Sequence, residues 1–398
     1  MNDRFDLTGE SRLPRVGTTI FAVMSQLAER HGAINLSQGF PDFSCPPRLM
    51  ALVDEAIRAG HNQYAPMPGV PALREQIAAK VADLYGAEVD MDTEITITAG
   101  ATEALFVAIQ TCVRPGDEVI LFDPAYDSYQ PAAELAGGRC TRLPLSAPDY
   151  RIDFNRLEHA LSDDTRLVVL NSPHNPTGAV LEVEDLDRLE QVLARSGAYV
   201  LSDEVYEHII FDGQGHQSLL GRPGLRERAF VVSSFGKTSH TTGWKVGYCI
   251  APPALTGEFR KIHQFVTFAI STPMQHAIAE FMQDPSFHLE LPVFYEKKRD
   301  RFRAAVSGSA WEILPCNGTY FQLLGYRMLS DLPDMDLARW LTEHAGVGCI
   351  PISVFYPDGR DERVLRFCFA KDDATLDQAA RRLVQLSPDD LPAHSENQ

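Results

Sequence analysis

Residues Val231–Tyr248 read VVSSFGKTSHTTGWKVGY. The apolar run Phe230–Ser233 predicts a short strand. The small residues after it predict a loop carrying Lys237, and a second strand is expected from about Lys245. A lysine on a Ser/Gly loop at a strand end has little to contribute to packing there. It can instead be held, partly desolvated, against a ligand. Desolvation lowers an amine from its free pKa of about 10.4 and makes it available as a nucleophile for a carbonyl. Lys237 is therefore expected to form a Schiff base with an aldehyde cofactor.

Working outward, strand and helix patterns alternate. Helical spacing of apolar residues predicts helices over Arg48–Ala59 and Val70–Tyr85. Seven strand candidates follow: Glu94–Thr98, Glu118–Phe122, Arg139–Leu143, Leu167–Leu170, Tyr199–Ser202, Phe230–Ser233 and Lys245–Ala251. Helical stretches such as Thr102–Thr111 and Val183–Arg195 separate most of them. The pattern predicts an α/β fold with a mostly parallel sheet covered on both faces. The last pair lacks a clear helix between its strands and could be antiparallel. After Pro285 a long helix (Leu289–Val306), strand-like WEILP and GTYFQLLG, a helix at Leu337–His344, a strand at Val364–Phe369 and a helix at Ala374–Leu386 predict a smaller α+β unit. Both chain ends are polar and expected to fray.

In open α/β sheets, ligands bind outside the carboxyl ends of the strands. Five candidate strands run directly into polar or glycine-rich residues: Thr-Ala-Gly100-Ala101-Thr102, Asp123-Pro-Ala-Tyr126, Asn171-Ser-Pro-His-Asn175-Pro-Thr-Gly, Asp203-Glu-Val-Tyr206 and Ser234-Phe-Gly-Lys237. Parallel strands would bring these loops to one rim. Gly100, Ala101 and Thr102 open a helix, whose free N–H groups suit a phosphate; an ordinary small-residue helix start is the bland alternative. Asp203 could equally be a helix N-cap, and the NPTG after His174 a simple turn. Arg366, in the apolar strand VLRFCFA, suits a bidentate carboxylate, since buried arginine is rarely left unpaired. An internal ion pair is the alternative.

The chain has 398 residues and a net charge of -18, which disfavours non-specific nucleic-acid binding or an anionic membrane surface. Seven scattered cysteines with no CxxC pair argue against a zinc site or a disulfide framework, and no metal is expected. The first residues lack the apolar core of a signal peptide, and no run approaches a membrane span. These features predict a soluble, cytoplasmic protein. Ser234–Lys237 also fits S-x-x-K, but Ser202-Asp203-Glu204 and Lys237-Thr238-Ser239 do not supply the SDN and KTG partners of penicillin-recognising enzymes. A dinucleotide site fails for want of GxGxxG after a first strand.

From about Leu13 to about Leu386, the chain resembles the fold-type I, pyridoxal-phosphate-dependent aminotransferases. The resemblance rests on SSFGKTSHTTGWKVGY, LPRVGTTIF, INLSQGFPDF, NQYAPM, TAGATEAL and SDEVYEHI. The branch it is most like contains bacterial methionine aminotransferases and kynurenine aminotransferases. The resemblance implies a large cofactor domain over 46–285 and a discontinuous small domain formed by 1–45 and 286–398. It implies pyridoxal 5′-phosphate, with its phosphate on Gly100, Ala101, Thr102, Ser234 and Lys245 and on Tyr64 of the other subunit of an isologous dimer. Asp203 would face the ring nitrogen, Tyr206 and Asn175 the ring hydroxyl, and Tyr126 the ring face, although Tyr129 lies close by. Arg366, helped by Asn175 and the Gly39 backbone, would grip the α-carboxylate. Lys237, freed from the cofactor, would carry the proton in a ping-pong cycle.

For the side chain of the substrate, Ile20, Phe21, Tyr64, Phe268 and Phe355 are the candidates. All are apolar or aromatic, and no second arginine for a dicarboxylate is evident. Methionine and aromatic or large apolar amino acids are favoured over aspartate. Ala269 stands where kynurenine-type relatives tend to have histidine, which counts against full kynurenine specificity. A cysteine-S-conjugate β-lyase on the same cofactor is the alternative enzyme class. A non-enzymatic effector-sensing domain would need a DNA-binding module, for which the stretch before Pro47 is too short.

Overall fold

The computed structural model describes residues 11–14 and 16–392. The polar ends expected to fray lie largely outside them; within the described part, Ser387 and Asp390 close a capped turn over Pro388–Asp390. At the centre is a seven-stranded sheet whose strands, in spatial order, begin at Ile95, Gly247, Ala229, Tyr199, Thr165, Glu118 and Arg139. All seven expected strands are present. Only Gly247–Ile250 runs against its neighbours, Ile95–Thr98 and Ala229–Ser234. The remaining pairings are parallel, so the other six strands end on one rim.

Successive side chains on a strand face opposite sides of the sheet, and here both sides are packed. Ile120, Val168, Leu170, Val200 and Val231 enter one core. Val119, Leu167, Val169, Leu201 and Val232 enter the other, beneath the helix Gly100–Cys112. Burial of each such side chain contributes about 1.5–3 kcal/mol. Continuous Val/Ile/Leu runs are the sequence cost of a sheet with no wet face.

A second sheet is four-stranded and antiparallel, in the order Ile350–Pro351, Val364–Cys368, Phe321–Gly325, Glu312–Ile313. The helices Leu291–Val306 and Asp373–Val384 accompany it. The helix expected over Leu337–His344 begins earlier, at Asp334, and ends in a wider turn over Leu341–Ala345. The N-terminal segment forms a helix, Ile20–His31, started by the Thr19 side chain and stopped by Gly32 in the left-handed conformation. It then pairs in parallel, Ile34–Asn35 against Val347–Gly348, and Leu36 O accepts from Cys368 N. That pairing carries Ser37 and Gly39 to the strand holding Arg366.

No helix among the described residues is long and apolar enough to cross a membrane. Nor does any cluster of His, Cys, Asp and Glu among them suit a metal ion.

Candidate active site

Asn171, Asp203 and Ser234, the polar last residues of three parallel strands, meet at one cavity of about 250 Å³. Its wall includes all ten expected cofactor residues of the large sheet. At one end are Gly100, Ala101, Thr102, Ser234 and Lys245; around the middle are Tyr126, Asn175, Asp203, Tyr206 and Lys237.

Lys237 is not on an irregular loop. Ser234 ends its strand in an extended conformation, and its Oγ accepts from Gly236 N, capping a one-turn helix, Phe235–Thr238. Lys237 Nζ donates to Gly39 O at 3.1 Å. Burial pulls this amine down to about 8, with Arg366 pushing the same way and Asp203 opposing. A neutral, nucleophilic amine is thus accessible near neutral pH.

Asp203 ends its own strand and is buried. Tyr129 donates to its Oδ2 at 2.7 Å, and Val205 N reaches Oδ1 at 3.3 Å. Desolvation is the largest influence and lifts the carboxyl to about 6 despite those bonds. Sequence reasoning weighed Tyr129 only as a rival to Tyr126. The structure separates them: Tyr126 lines the cavity while Tyr129 supports Asp203 from behind. Asn171, quoted only as part of a loop, also belongs to the framework. Its Nδ2 donates to Asp203 O at 2.8 Å, and its Oδ1 accepts from Asn175 N at 2.8 Å.

At the small-sheet side lies Arg366, 1% exposed. Nη1 donates to Asn175 Oδ1 at 2.6 Å and Nη2 to Ser37 O at 3.1 Å, while Nε has no partner. The guanidinium lies 3.9 Å from the Phe321 ring centre, with Phe21 and Phe355 at 5.3 and 5.5 Å. Burial lowers it to about 10. Among the described residues it makes no ion pair, the alternative reading. Phe21 and Phe355 also face each other, at 6.1 Å, and Ile20 packs beside them against the core.

At the opposite end, Gly100 has φ +70° and begins the helix whose first N–H groups have no intrahelical acceptor. The left-handed φ favours glycine here, and a Cβ on Gly100 would also lie 3.2 Å from Lys245 Cε and Nζ. Lys245 is exposed, lies in the left-handed region at φ 57°, and reaches Thr102 Oγ1 at 3.4 Å. Converging N–H groups, a hydroxyl and an ammonium form an anion seat. The orphaned Nε of Arg366, whose guanidinium is bonded to the cavity-lining Asn175, offers a second, suited to a carboxylate.

Tyr64 and Phe268 are not brought to this cavity within the chain. They meet each other at 5.4 Å, edge to face, and are 83% and 44% exposed.

Residues 31–383 match the family model described as aminotransferase class I and II. The chain is 53% identical to the methionine aminotransferase of Escherichia coli, over 96% of this chain and 99% of that one. It is 36% identical to the kynurenine–oxoglutarate transaminase of Dictyostelium discoideum, over 93% and 94% of the two chains. Among solved structures, that of an Escherichia coli protein with a methionine aminotransferase function superimposes with a TM-score of 0.93. It is 53% identical and is matched over 95% of this chain and 99% of its own.

Proposed function

Because the chain belongs to the class I and II aminotransferases, we propose that it moves the amino group of methionine, or of an aromatic or large apolar amino acid, to a 2-oxo acid, using pyridoxal 5′-phosphate. One observation carries the reading: Lys237 Nζ, the Asp203 carboxylate and the Gly100–Thr102 helix start line one cavity, with a buried arginine lacking one partner beside it.

The residues fit the cofactor. Gly100, Ala101, Thr102, Ser234 and Lys245 would hold its phosphate, Asp203 its ring nitrogen, Asn175 and Tyr206 its ring hydroxyl, Tyr126 its face, and Lys237 its aldehyde. When bound, it supplies an electron sink for the charge left at the substrate Cα. The rest is the work of this chain. Arg366 and the Gly39 backbone orient the α-carboxylate. Asn175 Oδ1 is already engaged by the arginine, so Asn175 steadies the guanidinium and its amide NH₂ remains to donate. Lys237, as a neutral amine, takes the Cα proton and returns it one position along, acting as base and then acid. Two amino-group transfers in sequence give ping-pong kinetics.

The Phe21 and Phe355 rings flank the Arg366 guanidinium, and such apolar surroundings favour methionine and aromatic side chains over dicarboxylates. Tyr64 and Phe268, exposed together, complete the site from a second copy, making the functional unit a homodimer. We place the division of the chain near Cys45 and Pro285 and the protein in the cytoplasm.

The test is an absorbance scan of the cofactor-loaded protein, followed by titration with methionine, phenylalanine, kynurenine and aspartate. A visible-edge band that bleaches with methionine but not aspartate is expected; bleaching by aspartate alone would overturn the assignment. Lys237→Ala should lose turnover by at least ~10³-fold and lose the covalent band.

A further inference from the structure

The Gly39 carbonyl is a node shared by two side chains from opposite sheets. Lys237 Nζ donates to it at 3.1 Å and Tyr320 Oη at 2.5 Å. Tyr320 is fully buried and directly precedes the strand Phe321–Gly325. Its ring centre lies 5.4 Å from Lys237 Nζ, and that of Tyr206 lies 5.5 Å away. The two rings are perpendicular, at 5.2 Å. Gly39 can bear no side chain here, because its Cβ would lie 2.8 Å from Phe321 Cζ. The lysine amine therefore sits between two aromatic rings and one carbonyl whose direction a buried hydroxyl sets.

We propose that Tyr320 is a positioning residue for the transfer reaction. Its hydroxyl pins the Gly39 carbonyl, and that carbonyl receives the Lys237 amine whenever the amine is not bonded to the cofactor. The inference rests on Lys237 being the proton carrier. A lysine on a four-carbon stem is otherwise mobile, and proton transfer needs a base held within reach of the carbon it serves. A neutral amine donating one N–H to a carbonyl keeps its lone pair free. That lone pair takes the Cα proton, the amine becomes an ammonium, and the same carbonyl with two nearby aromatic rings holds the cation until the proton is given back. The hydroxyl also fills space beside the amine that water would otherwise enter.

Tyr320→Phe keeps the ring and deletes the hydroxyl. In apoprotein labelled with ¹⁵N-lysine, the Nζ titration of Lys237 is followed by NMR. Its midpoint is expected to rise by about one unit in the variant as water resolvates the amine. In the holoenzyme, kcat for methionine should fall about 10- to 100-fold, while the dissociation constant of the donor, read from absorbance, changes by less than about 3-fold. An unchanged lysine titration with kcat within about 2-fold of wild type overturns the proposal. So does a kcat loss that merely tracks the unfolded fraction in a thermal melt. If wild-type protein develops no visible band with the cofactor, the functional reading fails and this inference with it; a normal band with a silent variant overturns Tyr320 alone.

Discussion

The cavity's Gly100–Lys245 end and Arg366, held beside the cavity by Asn175, are suited to anions in opposite ways. The Gly100–Lys245 end uses backbone N–H groups, a hydroxyl and an exposed lysine. The Arg366 end uses a single guanidinium, 1% exposed, wedged among aromatic rings and missing one partner. The first spreads its charge over groups that water can reach, so no single side chain dominates. The second concentrates recognition in one desolvated cation, where geometry matters and loss is severe. A cofactor that stays bound suits many modest contacts. A substrate that enters and leaves each cycle needs one strong, selective grip.

The sharpest way to break this contrast is Arg366→Lys. A point charge cannot reproduce a planar fork, so kcat/KM for methionine should fall about 10²–10³-fold, with the cofactor absorbance intact. A loss below about 10-fold in steady-state kinetics would erase the distinction between the two ends.

Asp203, between them, offers a thermodynamic handle. Its carboxyl is lifted to about 6 by burial, against about 3.9 in an unfolded chain. As pH rises the unfolded chain loses this proton first. The group's contribution is therefore fully present below about pH 4, is lost between about 4 and 6, and costs roughly 2–3 kcal/mol above that range. Apoprotein Asp203→Asn should gain up to that much over wild type at pH ~8 and nothing below pH ~4, read by urea unfolding. The holoenzyme should lose activity, since the ring nitrogen would lack its anion.

The smallest effect is expected at Lys245→Ala. An exposed lysine contributes little alone, so the cofactor dissociation constant should rise about 3- to 10-fold, and the difference from wild type should shrink in high salt. A loss as large as that at Arg366 would show that the phosphate end, too, depends on one cation.

Much of this was legible from sequence because a sheet buried on both faces writes itself as uninterrupted Val, Ile and Leu. Strand ends were read slightly short. Asp123, Asn171, Asp203 and Ser234 are polar, yet their backbones remain within the sheet; the last three line the cavity, while Asp123 pairs with Arg142. The Lys237 loop proved helical because Ser234 caps it, a local signal that was available in Ser-Phe-Gly. The N-terminal helix Ile20–His31 was not among the elements expected from the sequence. Asn171 stood inside a quoted motif and Tyr129 just past another, but their support of Asp203 needs the register of neighbouring strands. Tyr320 had no local signal: its partner Gly39 lies 281 positions away in the chain.

Ser234 and Gly247 are register partners across the hairpin that carries Lys237 and Lys245. Both amines thus belong to one closed excursion, stitched shut at its base, and their spacing is internal to it. Arg366 belongs to the other sheet, and Gly39 is tethered beside it. On the proposed function, rocking one sheet against the other would therefore release the amino acid while leaving the prosthetic group in its berth.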